Sequence, residues 1–496
     1  MPDTTAHMGI HEREPEPGST LEVHFKLFGS DGVSLQSQEL ADELRRRGWQ
    51  VHSCASDVPA GNEGLRLPEL SYQSEDALAL RSRLFKPASE YPLSETSTEE
   101  GTVLLQEIRE RAIPIKQQVE EYLKKNNIHL IHIRNIMALP YNLPATLAFY
   151  ELAKEHGDIG FIMHHHDIYW EGPNAKNFQT PHKEIAELMN EIMCPDLPNA
   201  THTLINPIAA EALAERKGIK GVVIPDGFNF DRQVKHIDEQ KFRRELDILV
   251  GEKKPVTEND LVVAMPARVA INKAIELAIQ FTAGLEEKRA QLENAPDGVG
   301  RNKRKFTRES RIVLLLPQGE DLNESRAYFD KLLVYARHMG ITLAYGGNIV
   351  VPDRKYIGDE EHYPFYSTYQ AVDFVSYTPE HEGFGNQAIE TVWAKLPMAI
   401  LEYPVFKRFV RKHIPHYVSL GDVESLGTVE QFDGFHLLRQ DILDRATNQA
   451  ISILTDHERE KRETQENAVR LRQFCGIEHV AARYIQLYDE ARRRTG

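Results

Sequence analysis

From about residue 21 to 230, short apolar runs alternate with stretches of helical period, the pattern of β-α-β units on a parallel sheet. The strands this predicts are 21–28 (LEVHFKLF), 49–55, 128–134, 160–166, 202–205 and 221–225. A helix over 34–48 follows the first strand and stops at Gly48, since glycine readily takes the backbone turn past a helix end. Residues 61–100, rich in Ser, Glu and Pro, interrupt the alternation and read as an inserted loop with helical pieces. A polar, highly charged stretch at 231–259 separates this series from a second one, with strands at 261–267, 311–317, 341–347, 373–379 and 397–403. The expected fold class is therefore α/β, with a disordered tail at 1–20 and two consecutive parallel-sheet domains, 21–245 and 246–475, with a cleft between them. The remaining segment, 476–496, is a helix with an apolar stripe along Val480, Tyr484, Ile485 and Tyr488, suited to packing back on the first domain. Ligands of such sheets sit at the carboxyl ends of strands, so the loops that follow the strands are where chemistry is expected.

Composition narrows the partners. The chain of 496 residues carries 75 acidic against 59 basic side chains, a formal charge of −16, which argues against nucleic acid and against stable association with an anionic membrane. Cys54, Cys194 and Cys475 are far apart and fit neither a disulfide framework nor a C-x-x-C metal site, which suits a reducing, cytoplasmic compartment. The first twenty residues hold acids and prolines where a leader peptide needs an apolar core, and no stretch approaches roughly 18 continuous apolar residues. Small molecules are the expected partners, and a homo-oligomer is compatible with all of this. The basic run Arg301 to Arg308 reads as a solvated loop.

Two stretches carry candidate chemistry. In HEGFGNQAIE (381–390), Glu382 and Glu390 flank a Gly-Phe-Gly turn that leads into a helix. Glycines there let backbone amides approach a ligand, and the helix start favours an anion such as a phosphate. Eight residues at the helical rise span about 12 Å, too far for two carboxylates working on one glycosidic bond at roughly 5 to 9.5 Å. Two contacts on one extended, hydroxyl-rich ligand fit better. The same residues also match G-x-G-x-x-A (Gly383, Gly385, Ala388), with Glu402 as the acidic partner of a dinucleotide site. In MHHHDIYWEGP (163–173), His164 and His166 share one face of a strand while His165 faces the other way, so a tetrahedral metal site would need further ligands from elsewhere, and none is expected.

The segment Glu382 to Glu390, following a strand that ends in S-x-x-P, resembles the E-x7-E motif of the retaining glycosyltransferases of family 4. Arg268 and Lys273, at a strand-to-helix junction, are similar to that family's R-x4-K element; PDGFNFD (225–231) resembles its P-N-G-V-D turn, with Asp226 in place of Asn, a change expected to affect turn chemistry alone. FGSDGVSLQ (28–36) resembles its G-G-V loop in a less glycine-rich form, and a His-Asp pair maps onto His166 and Asp167. The resemblance covers about residues 22 to 490 and implies the GT-B architecture, two facing Rossmann-like domains. It implies catalytic roles for His166, Arg268, Lys273 and Glu382 and donor contacts from Gly32, Phe384, Gly385 and Glu390. Gly32 reads equally as an ordinary β-α turn. Acceptor contacts fall to Asp167, Tyr169 and Trp170, the last two being either a wall for a sugar ring or core. The donor implied is a UDP- or GDP-hexose, used as substrate without cofactor or metal, and the acceptor a sugar, sugar phosphate or glycerate-type hydroxyl. Two readings from other classes stay open: an NAD(P)-dependent oxidoreductase using Gly383, Gly385 and Glu402, and a non-catalytic nucleotide-sugar-binding protein.

Overall fold

The computed structural model describes residues 16–29, 31–172, 174–318, 325–353, 356 and 362–495. Most of the tail expected at 1–20, together with Ser30 and Pro173 of the two loops quoted above, lies outside them. The described part of that tail is ordered at its end, where Ser19 and Thr20 already belong to the first strand. The chain forms two compact units, one made of residues 1–227 and 477–496, the other of 228–476.

The first unit is built on seven parallel strands: β1 (Ser19–Val23), β2 (Gln50–Ala55), β3 (Gly64–Arg66), β4 (Leu130–Arg134), β5 (Gly160–His165), β6 (Ala200–Leu204) and β7 (Val222–Val223), in the order β3-β2-β1-β4-β5-β6-β7. β4 and β5 are buried at every position, as strands covered on both faces by helices must be. Helix α1 (Gly32–Arg46) starts where the Asp31 carboxylate accepts the Ser34 amide, an N-cap that satisfies one of the orphan donors of the first turn.

The stretch read as an insertion is largely regular. It holds β3, α2 (Glu75–Leu84) capped by Ser74, and the start of α3 (Glu99–Asn126), capped by Thr98 and ending at Asn127 in left-handed backbone (φ 52°). α4 (Leu143–Glu155) packs against α3.

The second unit has strands β8 (Asp247–Val250), β9 (Leu261–Ala264), β10 (Ile312–Leu316), β11 (Thr342–Tyr345), β12 (Phe374–Tyr377), β13 (Met398–Ile400) and β14 (Val418–Ser419), in the order β14-β13-β12-β9-β10-β11-β8. All pairs are parallel except that β8 runs antiparallel to β11 at the edge. Helix α5 (Ile275–Glu287) follows β9 and α6 (Asn386–Trp393) follows β12.

The division of the chain falls at Gly227/Phe228, earlier than residue 245, because the charged stretch after 227 is tied to the second unit. The Phe228 amide bonds to the Cys475 carbonyl, and Arg243, almost wholly buried, pairs with Asp373 at 3.0 Å. The basic run 301–308 is not uniformly solvated either. Arg304 is buried against the other Asp373 oxygen at 2.8 Å, and Arg301 donates to the carbonyls of Tyr369 and Gln370. Desolvating cations at the foot of β12 is tolerated because a buried carboxylate and carbonyl oxygens face them.

Helix α7 (Ile477–Thr495) belongs to the first unit, where Val480, Tyr484, Ile485 and Tyr488 pack with Leu40, Leu44, Trp49, Leu130 and Ile162. Among the described residues no helix is long and apolar enough to cross a membrane.

Candidate active site

In the second unit the chain lays strands outward from β9 in one direction and from β12 in the other, so the loops after β9 and β12 flank the topological switch point where α/β sheets bind ligands. These are the Arg268/Lys273 loop and the Gly-Phe-Gly loop, and they are bonded together. The Thr378 hydroxyl donates to the carbonyls of Lys273 and Ala274, each at 3.0 Å, and the Glu380 amide donates to the Asn272 carbonyl at 3.0 Å. This brings Lys273 Nζ to 2.5 Å from Glu382 Oε1, which also accepts the Tyr377 hydroxyl at 2.6 Å. Burial, with the Glu382 charge beside it, pushes the Tyr377 phenol well above its ordinary range, so it stays a donor. Lys273 is buried, whereas Arg268 on the same loop is exposed.

Gly385 has φ 96°, and a Cβ placed there would stand 1.9 Å from the Tyr403 hydroxyl, which donates to the Phe384 carbonyl at 2.8 Å. No side chain caps α6 behind it, so its first-turn amides keep their capacity for an anion. The Phe384 ring is buried, its nearest aromatic partner being Phe474. Glu390 is buried as well, bonded by the hydroxyls of Tyr369 (2.9 Å) and Tyr366 (3.4 Å); burial raises its carboxyl to about 7, against the lowering pull of those bonds. The two glutamates share no hydrogen-bond partner among the described residues. Glu402 is held by the hydroxyls of Ser419 (2.5 Å) and Tyr417 (3.2 Å), away from the Gly-Phe-Gly turn's own bonds.

In the first unit the switch point lies between β1 and β4. Arg134, closing β4, is fully buried; it donates to Glu22 of β1 (3.1 Å) and Gln36 of α1 (2.6 Å), and its Nη1 lies 2.8 Å from His164 Nδ1 and 3.4 Å from His166 Nε2. Burial alone would raise the Glu22 carboxyl, but His132 and Arg134 against it hold it at about 2. Burial pushes His132 down to about 4 and His164 well below the usual imidazole range. On its other side, His166 Nδ1 lies 3.1 Å from Asp226 Oδ1. His164, His166 and Asp226 present potential ligand atoms within 4.8 Å of one another, the composition of a metal centre. The Arg134 guanidinium already sits against both imidazoles, and a second cation beside it would be repelled.

No protein-family model matches the chain. It is 28% identical over 436 residues to the mannosylglucosylglycerate synthase of Petrotoga mobilis, covering 88% of this chain and 93% of that one. To the mannosylglucosylglycerate synthase of Thermotoga maritima it is 29% identical over 405 residues, 81% of this chain and 84% of the relative. A solved glycosyltransferase of Rickettsia africae superposes with a TM-score of 0.58 at 15% identity, over 96% of this chain and 99% of that one. The chain is a glycosyltransferase of the GT-B fold.

In this transferase the sequence-predicted residues fall in different surroundings. Lys273, Glu382 and Gly385 converge on one loop pair, and His166 stands in the buried network after β5. Gly32 is exposed at the start of α1 and Asp167 is exposed after β5. Trp170 is core: it is 9% exposed, packs with Ile168, Cys194 and Leu204, and lies under the Arg216 guanidinium at 5.3 Å. Tyr169 is half-buried, edge-on to Trp170.

Asp226 does more than shape a turn. Its carboxylate is buried against His166, which an Asn there would meet without charge. His165 turns away, as the strand period requires, and pairs with His202 at 2.8 Å. Sequence reasoning passed over Arg134, Glu22 and the tyrosines 377 and 403. The legible signal was a charged residue inside an apolar strand, as in LEV and LIHIR, which is costly unless paired.

Proposed function

We propose that this transferase belongs to glycosyltransferase family 4 and moves a hexose from a nucleotide sugar to a hydroxyl of a small polar acceptor of the glycerate or sugar-phosphate type, with retention of anomeric configuration. The observation that carries the reading is the Lys273–Glu382–Tyr377 cluster, set between the two switch-point loops beside the uncapped start of α6. An ammonium with one of its three protons on Glu382 has two left for diphosphate oxygens, and the α6 amides add fixed dipoles where charge builds on the leaving group. Arg268, exposed on the same loop, supplies a second cation.

Glu382 takes hydroxyls of the transferred sugar, and Glu390 those of the nucleotide ribose. The acceptor oxygen attacks from the face the phosphate leaves: the bond from the anomeric carbon to the phosphate oxygen breaks, the new glycosidic bond forms, and the acceptor proton passes to the departing phosphate. No side chain is needed as a base. Both curated relatives are named for a product that joins mannose, glucose and glycerate, which supports a mannosyl donor and an acidic acceptor here. A thermal-shift screen with UDP and GDP, followed by mass analysis of products from the matching hexose nucleotides, tests the reading. Stabilisation by one nucleoside diphosphate and hexosylation of the acceptor are expected; stabilisation by NAD(P) alone would overturn it.

A further inference from the structure

The segment 61–100 builds a cavity of about 440 Å³ within the first unit, a size suited to a small ligand. Its wall includes Ser71, Arg81, Arg111, Tyr141 and Asn142. Tyr141 and Asn142 come from the loop after β4, which borders the β1/β4 switch point. The Tyr141 ring is stacked on Tyr72 (centroids 5.1 Å, interplanar angle 29°), and Phe25, in the loop after β1, meets both edge-on. His24, beside Phe25, is within electrostatic reach of His166. The cavity and the His166 network thus lie along the same end of one sheet.

Two guanidiniums, Arg81 and Arg111, line this wall. The Arg81 guanidinium lies over the Tyr141 ring at 5.5 Å, and no carboxylate among the described residues pairs with it. Arg111 shares a single carboxylate, Glu107, with Arg83, at 2.5 and 2.8 Å. Glu69 and Asp76 also line the cavity, but both are exposed and solvent screens them. A half-buried guanidinium fixed on an aromatic face, with the Ser71 hydroxyl in the same wall, suits a carboxylate attached to a polyol.

Building on the transferase reading above, we propose that this cavity holds the carboxylate end of the acceptor, with Arg81 as its charge partner and Tyr141, backed by Tyr72, as its aromatic wall. The probes are glucosylglycerate, the relatives' named product less its mannosyl group, and glucosylglycerol, in which an alcohol replaces the carboxylate. Steady-state transfer kinetics and calorimetric binding are compared for wild type, Arg81→Ala and Arg81→Lys. Arg81→Ala is expected to raise KM and Kd for glucosylglycerate about tenfold to a hundredfold. The loss for glucosylglycerol should be smaller than for glucosylglycerate, and Arg81→Lys should recover part of the loss. Transfer to glucosylglycerate with the same KM in Arg81→Ala overturns the cavity assignment and leaves the transferase reading standing. Arg81-dependent binding without any hexosyl transfer does the reverse, and absence of both binding and transfer overturns both.

Discussion

Gly385 is constrained twice over, by a left-handed φ of 96° and by the Tyr403 hydroxyl that occupies the place of a Cβ. Gly385→Ala is therefore expected to abolish transfer and lower the melting temperature, the backbone term alone being about 1–2 kcal/mol. Adding Tyr403→Phe, which removes the clashing oxygen, should recover part of the lost stability in calorimetry but not the backbone term. In the proposed mechanism Lys273 sits where leaving-group charge develops, and Lys273→Ala should cut kcat about 10²–10³-fold with an unchanged circular dichroism spectrum; near wild-type turnover would remove it from the mechanism. Glu22 sets a pH dependence. Its folded value near 2 lies below its ordinary 4.5, so it contributes stability above 4.5 that is lost as pH falls through 2, about 3 kcal/mol in all. His132, lowered from 6.5 to about 4, adds acid sensitivity in the window above, because the unfolded chain takes up its proton first. Glu22→Gln should cost about 3–5 kcal/mol at neutral pH, leaving Arg134 without its counter-charge, and should flatten the acid limb of a denaturation-versus-pH series below 4.5.

Among the elements, α7 closes the first unit from the far end of the chain. Its Tyr488 hydroxyl lies 2.6 Å from His132 Nδ1 and donates to Glu22 at 3.2 Å, and Tyr484 reaches His164. Tyr488→Phe is expected to cost about 1–3 kcal/mol in urea titration by leaving buried polar groups short of a partner, and an unchanged midpoint would show the bond to be dispensable. This helix was legible because its apolar positions recur at the helical period. The core strands were legible because parallel strands buried on both faces read as apolar runs. β8 was not: it is a short antiparallel edge between charged flanks, where only alternate positions are buried. In 61–100 the periodicity is thin, with Leu78 exposed, but the caps were visible in Ser74-Glu75-Asp76 and Thr98-Glu99-Glu100, and cap chemistry would have found α2 and α3.

For the whole molecule, motif spacing identified the two loops of the second unit, since a glycine turn and its neighbouring glutamate act locally. The partners were hidden wherever they depend on topology. Arg134 and Glu22 stand 112 residues apart and meet only because β4 lies beside β1, and Asp226 meets His166 only once β5 and the loop after β7 are in place. The same dependence hid Arg81, whose role rests on helix α2 standing next to the loop after β4. The most direct measurement is mass and NMR analysis of the product formed from mannose and glucose nucleotides with glucosylglycerate. The account predicts one added hexosyl unit in the donor's own anomeric configuration, with release of the nucleoside diphosphate. An inverted linkage, or donor turnover that never hexosylates the acceptor, would contradict it.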